Sequence, residues 1–319
     1  MDTILLRPAD PARDFAQLAA WFTILEDELT TEASLQTEYE EKRARVFQQM
    51  AVDAEGRPLG FYWAARSTAA PDQWQCYLFV APEQRGWGVG GRLCDDLLAT
   101  ARAARARTLR ISIADTCPEC RTFAERRGFA ELRHHFGMAL DLAAFDDRPW
   151  DAIVDRLKGA GFAFTSMAEL GNTEEAQRKL YALNDAASAA TPGQEGEHPW
   201  ASFEDFQKRV CQAAWYKPSG QIVAIDTATG VWAAMSAITR FEGSDYAYNL
   251  FTGVDALYRG RKLGQAVKIH ALRYARNVLK VGFVRTHHNT RNLPMITIDR
   301  KLGYTMQAGT FLMEKILDT

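Results

Sequence analysis

The chain has 319 residues, 47% of them hydrophobic and 24% charged, with a formal net charge of −2. That length suggests two domains of ordinary size, whose cores need no metal or disulfide staple. The near-neutral charge argues against a nucleic-acid binder, and no apolar run approaches the roughly 18 residues of a membrane span. Met1–Arg7 runs straight into a strand-like pattern with no leader signature. The five cysteines are too sparse for a disulfide framework. A reducing cytoplasm and free thiols are the expectation.

The first elements in chain order are a strand over Ile4–Pro8 and a helix over Arg13–Leu29, with Phe15, Leu18, Phe22 and Leu25 on one side. A hairpin joins Val46–Asp53 to Leu59–Arg66 through Ala54–Pro58. The strand Trp74–Val80 leads into the glycine-rich Pro82–Gly90 and a helix over Gly91–Arg105. Then come the strand Leu109–Ala114, a short helix Pro118–Arg127 and closing strands over Ala130–Leu142. Residues 146–161 read as a connector helix. The second half predicts strand Phe162–Met167, helices Thr173–Ala187 and Phe203–Ala213, and hairpin strands Ile222–Asp226 and Trp232–Phe241. Next come strand Tyr246–Thr252, helix Gly264–Leu279, strand Phe283–His288, helix Asn292–Leu302 and closing strands Thr305–Ile316.

The two halves repeat. Val80–Gly90 aligns without a gap on Val254–Gly264, and Glu125–Phe129 on Arg300–Tyr304. Arg85 and Arg259 are 174 residues apart, and Gly128 and Gly303 are 175 apart, so two landmarks share nearly one offset. One α+β unit, duplicated, accounts for this. The expected domains are 1–145 and 162–319, around the connector.

In each half a strand enters a glycine turn that opens an apolar-striped helix. Unpaired N–H groups at such a helix start, at the positive end of its dipole, make a site for an anion such as a pyrophosphate. Arg85 can add charge-assisted hydrogen bonds; a plain helix-capping turn would read the same way. Gly86-x-Gly88-x-x-Gly91 also matches a dinucleotide fingerprint, but the hairpin upstream does not supply the βαβ unit that fingerprint needs. Neither loop ends in the Gly-Lys-Ser/Thr of a P-loop.

Arg85-Gly-Trp-Gly88-Val-Gly90, with its strand, Val-x-Pro-Glu lead-in, helix and downstream Gly-Phe, resembles the Arg/Gln-x-x-Gly-x-Gly/Ala motif of the GNAT acetyltransferases. Arg259-Gly-Arg-Lys262-Leu-Gly264, followed by Asn289 and Asn292, resembles a variant of it, with Lys262 where glycine is usual. The resemblance covers Ile4–Phe145 and Phe162–Ile316. It implies an α+β fold: two tandem GNAT-like domains, each with a mixed, mostly antiparallel central sheet flanked by helices. It further implies acetyl transfer from acetyl-CoA to the amine of a small molecule by direct attack, with no metal. A CoA-binding module with one or both domains catalytically degenerate is the alternative. The tandem pair could serve as an internal pseudo-dimer in a monomer.

The same resemblance puts the pyrophosphate on Arg85, Gly86, Trp87, Gly88, Val89, Gly90 and Gly91, and on Arg259, Gly260, Arg261, Lys262, Leu263 and Gly264. The pantetheine would pair along Phe79–Val80 and Thr252–Val254. Lys262 would point outward or block the phosphates. Asn289 and Asn292 either reach the cofactor or cap a helix. Many family members carry a tyrosine four residues before the glycine of Gly-Phe; Ala124 and Asp299 stand there instead. Tyr248 is the substitute acid, or simply a sheet tyrosine. Glu28, with Glu26 and Asp27, and Glu242 and Asp245 are base candidates that read equally as surface carboxylates. Cys117-x-x-Cys120 has redox or metal spacing but no second ligand pair nearby. The acceptor pocket is expected from Leu29–Glu41 and Ala187–Ser202, the least patterned stretches.

Overall fold

A computed structural model describes residues 4–26, 29–68, 70–193 and 195–317. The elements in order are β1 (Leu5–Arg7), α1 (Pro11–Glu26), α2 (Glu32–Lys42), β2 (Val46–Val52), β3 (Pro58–Arg66), β4 (Gln73–Val80), α3 (Val89–Ala103), β5 (Thr108–Ala114), α4 (Pro118–Arg126) and β6 (Ala130–Asp141). There follow α5 (Asp151–Gly159), β7 (Phe162–Ser166), α6 (Glu174–Ala189), α7 (Phe203–Phe206), β8 (Gln221–Asp226), β9 (Trp232–Thr239), β10 (Ala247–Val254), α8 (Leu263–Tyr274), β11 (Phe283–Asn289), α9 (Leu293–Leu302) and β12 (Thr305–Ile316). This is the expected α+β arrangement, with α2 as an addition inside Leu29–Glu41. Helix α2 buries only Leu35, so it has no apolar stripe to announce it; a capping box of Thr31 and Ser34 starts it instead.

Two compact units result. Unit 1 is Met1–His134 with Thr310–Thr319, and unit 2 is His135–Gly309. Domains 1–145 and 162–319 gave each half its own closing strands; the compact units assign them the other way round. In unit 1, residues 310–316 of β12 pair antiparallel with β5. In unit 2, residues 135–141 of β6 pair antiparallel with β11.

Both units build their sheets by the same rule. In unit 1 alternate residues of β3 part to opposite faces: Phe61 and Trp63 join α1 and α2, while Tyr62 and Ala64 join α3. In unit 2 alternate residues of β8 do likewise, Ile222 and Ala224 on the α8 face and Val223 and Ile225 on the α6 face. Strands buried on both sides leave the sheet a two-faced core, as period-two alternation requires. β4 runs parallel to β5 only from Gln73–Cys76, and β10 runs parallel to β11 only at Ala247 and Tyr248. Beyond those pairs the two parallel neighbours part, opening a cleft in each sheet at the end that meets the glycine turn.

The backbone repeats at the turns as well. Gly86 and Gly260 have φ of 82° and 78°; Gly128 and Gly303 have 81° and 93°. Gly88 is left-handed at 87°, and Lys262 takes the equivalent place at 68°. A left-handed non-glycine residue costs about 1 kcal/mol, so unit 2 carries a strain that unit 1 avoids. A Cβ on Gly88 would meet nothing within 4 Å, so Gly88→Ala tests the backbone cost alone. Urea denaturation is expected to show a loss of about 1 kcal/mol; no loss would mean the turn relaxes.

Candidate active site

In unit 1 the turn leaves Arg85, Gly86, Trp87 and Gly88 exposed, with Trp87 at 73%. Val89 is buried and starts α3. Arg85 folds back: its Nε donates to Val80 O at 3.3 Å and its guanidinium meets Glu119 at 3.5 Å. Gly90 packs near Phe123 and Val80, and a Cβ on Gly91 would come within 2.7 Å of Arg127. The Phe79 side chain is core, against Trp21 and Phe61, so only its backbone faces other duties. β4 pairs with β3 in unbroken register from Arg66–Trp74 to Gly60–Val80.

Unit 2 differs at that strand. The register of β10 on β9 shifts between Asn249 and Phe251, so Leu250 has no partner and β10 bulges. Asn249 holds the bulge. Its buried amide donates to Ala237 O at 2.8 Å and to Ser236 Oγ at 3.1 Å, and Thr286 Oγ1 donates to its carbonyl at 3.0 Å. These side-chain bonds replace the ladder bonds that the bulge removes. Nothing in the sequence marks Asn249 for this, because the bulge depends on how β10 registers against β9.

A cavity of about 530 Å³ runs along the second turn. Thr252, Val254, Arg259, Gly260, Lys262, Leu263, Gly264 and Asn292 all line it, with Ala187 and Ala190–Pro192 bounding another side. Lys262 therefore neither turns wholly away nor fills the space. Leu263 is buried as the first residue of α8. Arg261 lies outside the lining, over the Tyr258 ring at 5.2 Å. Asn292 caps α9, accepting from Met295 N at 3.4 Å, so the cap and the cavity wall are one residue.

A second, smaller cavity of about 110 Å³ lies in the β10–β11 cleft and shares Thr191, Thr252, Asn292 and Met295 with the first. Asn249, Lys268, Thr286, His287, His288 and Asn289 are among the groups lining it. Asn289 is 8% exposed; its Oδ1 accepts from Arg291 N, and its Nδ2 has no hydrogen-bond partner among the described residues. A buried unpaired donor is costly; this one lies beside Gly193, on a residue that lines the cavity.

Alternation along β11 sorts its histidines. His288 turns to the α9 side, where its Nε2 lies 2.7 Å from Asp299 Oδ2. His287 turns to the other side, where its Nδ1 lies 2.5 Å from the Tyr248 hydroxyl. Tyr248 thus sits against His287 rather than in the cavity lining. Burial, with Tyr246 nearby, raises the Tyr248 pKa, so it stays a phenol. His287 keeps a solvent-facing side, yet the protein packed around it, with His135 and His288, lowers its pKa below the ordinary histidine value. Neutral at pH 7, such an imidazole can take a proton. Adjacent in the chain, His287 and His288 carry no spacing that marks either as catalytic.

Among the other candidates, Glu28 and Asp27 lie outside the described residues and Glu26 ends α1. Glu242 and Asp245 are exposed. Cys117 and Cys120, expected as free thiols, are joined in a disulfide at the start of α4, while Cys76, Cys94 and Cys211 are free. Their spacing puts the two sulfurs on one helical turn. No helix among the described residues is long and apolar enough to cross a membrane.

Comparison with known proteins agrees with this architecture. Residues 14–129 match the family model of the Acetyltransferase (GNAT) family. A mycothiol acetyltransferase of Thermobifida fusca (strain YX) is 27% identical over 266 residues, 80% of this chain and 78% of that protein. One from Acidothermus cellulolyticus is 27% identical over 250 residues, 75% of this chain and 70% of that protein. Among solved structures, a GCN5-related N-acetyltransferase from Sphaerobacter thermophilus superposes with a TM-score of 0.64 at 16% identity, covering 98% of this chain and 95% of that one. A tandem GNAT protein from the clavulanic acid biosynthesis pathway does so at 0.60 and 19% identity, covering 99% of both chains. These two likenesses carry the fold; the family match falls on unit 1, and the mycothiol acetyltransferases extend the similarity over most of the chain. The first unit thus carries a GNAT-family domain over residues 14–129, and most of the chain is similar to acetyltransferases and shares the fold of a tandem GNAT protein.

Proposed function

We propose that unit 2 transfers an acetyl group from acetyl-CoA to the amine of a small molecule by direct attack. The observation that carries this is the pair of cavities sharing four residues, one along the Arg259–Gly264 turn and one at the β10 bulge. The fit to acetyl-CoA is chemical. The turn offers unpaired amides at the start of α8, with Arg259 and Lys262 for the phosphates. A Cβ on Gly260 would meet nothing within 4 Å, so the backbone there is open to a ligand. Asn289 Nδ2 and Thr252–Val254 would hold the pantetheine arm. Backbone N–H groups at Leu250 and Phe251, freed by the bulge, would stabilise the oxyanion. His287 would take the amine proton on Nε2, with Nδ1–H donated to the Tyr248 oxygen; Tyr248 is then a positioning residue rather than the acid. The Arg85 contacts and unbroken β4 register of unit 1 support a unit without this turnover. Similarity to two mycothiol acetyltransferases supports testing their acceptor first.

Calorimetric titration with acetyl-CoA is the test. Gly264 lies 3.2 Å from Val254 Cγ2 at its Cβ position, so Gly264→Glu puts a bulky negative charge into the turn. It is expected to weaken binding by about tenfold or more, the scale of one lost charge-assisted contact, while Gly90→Glu leaves that binding intact. The reverse pattern overturns the assignment to unit 2. Binding without turnover across a broad amine panel would favour the binding-module reading.

A further inference from the structure

The proposed chemistry leaves the departing sulfur without a proton, because Asp299 stands where the family resemblance leads one to expect a tyrosine. We propose, resting on the reading of unit 2 above, that Lys268 is the proton donor to the departing CoA thiolate, with Asp299 and His288 as its positioning residues.

Lys268 lies on α8 and is 1% exposed, yet it lines the small cavity in the β10–β11 cleft. Its Nζ pairs with Asp299 Oδ1. Asp299 is fully buried on α9 and is held on its other oxygen by His288 Nε2. The ammonium also lies 4.9 Å from the centre of the buried Tyr304 ring. The groups facing Lys268 are therefore Asp299 from α9, His288 from β11 and Tyr304 beyond α9; His287 and His135 border the same cavity from β11 and β6. A buried ion pair is a poor way to gain stability, since its desolvation cost rivals its attraction. A cationic group at the wall of a cavity where negative charge develops has a chemical use. Burial also lowers the Lys268 pKa, with Asp299 opposing, which makes the ammonium a readier donor. Burial would raise the Asp299 pKa, but Lys268 and His288 outweigh it and keep the carboxyl ionised.

The step balances. The amine lone pair forms the C–N bond as the C–S bond breaks, and the sulfur keeps that electron pair. The sulfur then takes a proton from Lys268 Nζ, while His287 takes the proton lost by the amine. Lys268 is reprotonated and His287 deprotonated through solvent, so no net proton is gained.

The experiment reads the thiol and not turnover. CoA is bound to the intact chain and its thiolate is titrated by ultraviolet difference absorbance. Lys268→Met with Asp299→Asn removes both charges while keeping shape and the bond to His288. In the natural chain the bound thiol is expected to ionise at least about one unit below free CoA, a tenfold shift in thiolate fraction; in the double variant it returns to the value for free CoA. Circular dichroism shows whether the variant is folded, and His288→Gln provides a second, milder perturbation that is expected to give an intermediate shift. A folded double variant that keeps the natural shift, or a natural chain with none, overturns the role of Lys268. Failure of CoA to bind the natural chain instead overturns the reading of unit 2 itself.

Discussion

Replacing His287 with alanine is expected to lower kcat for acetyl transfer by about 10²- to 10⁴-fold, the usual range for loss of a general base, with little change in the KM for acetyl-CoA. His287 borders the cleft cavity, while the turn proposed to hold CoA is built from other residues. Tyr248→Phe is expected to cost less, because it removes only the partner that fixes the imidazole at Nδ1. The pH dependence carries the sign. A base works above its pKa, and that of His287 is lowered by its surroundings. The acid limb of the kcat profile should therefore fall below pH 6.5, the ordinary histidine value. An acid limb well above that value, or a His287→Ala enzyme with unchanged kcat, would assign the base elsewhere.

Much of this was legible in the sequence, for physical reasons that also mark where legibility stopped. The two turns could be read because left-handed backbone selects glycine; Gly86, Gly88, Gly128, Gly260 and Gly303 all take positive φ. The apolar runs of β3 and β8 and the stripe of α3 gave the layers, since a strand buried on both faces is apolar throughout and a helix buried on one face carries a stripe. Alternation says which face of a strand is buried, but not which strand lies beside it. That is why the unit assignment of β6 and β12 could not be read from Ala130–Leu142 and Thr305–Ile316. The bulge at Leu250 left no trace for the same reason: it depends on a register between β9 and β10. Lys268 lay hidden inside a predicted helix, where lysine ordinarily belongs to the solvated face. In the sequence Asp299 reads only as the absence of a tyrosine. Its presence makes sense once Lys268 and His288 are seen to converge on it, and convergence of α8, β11 and α9 is a tertiary property.

Removing one charge of that pair should cost far more than removing both. Asp299→Ala leaves the Lys268 ammonium buried at 1% exposure with its counter-ion gone, and His288 loses its bond as well. Loss of one partner of a buried pair typically costs about 3–5 kcal/mol, which a domain of ordinary stability survives only narrowly. Lys268→Met with Asp299→Asn leaves no unpaired charge and is expected to cost less than half as much. The measurement is urea denaturation of the natural chain and the two variants at pH 7, followed by the Asp299→Ala protein at higher pH. As pH rises through the lowered pKa of Lys268, the stranded ammonium is discharged, and the single variant should recover part of its loss. Recovery on raising the pH separates an uncompensated charge from a simple packing defect, which pH would not relieve. Equal costs for the single and double variants would mean that the pair contributes by shape, and would remove the electrostatic reason for a lysine at the wall of the cleft.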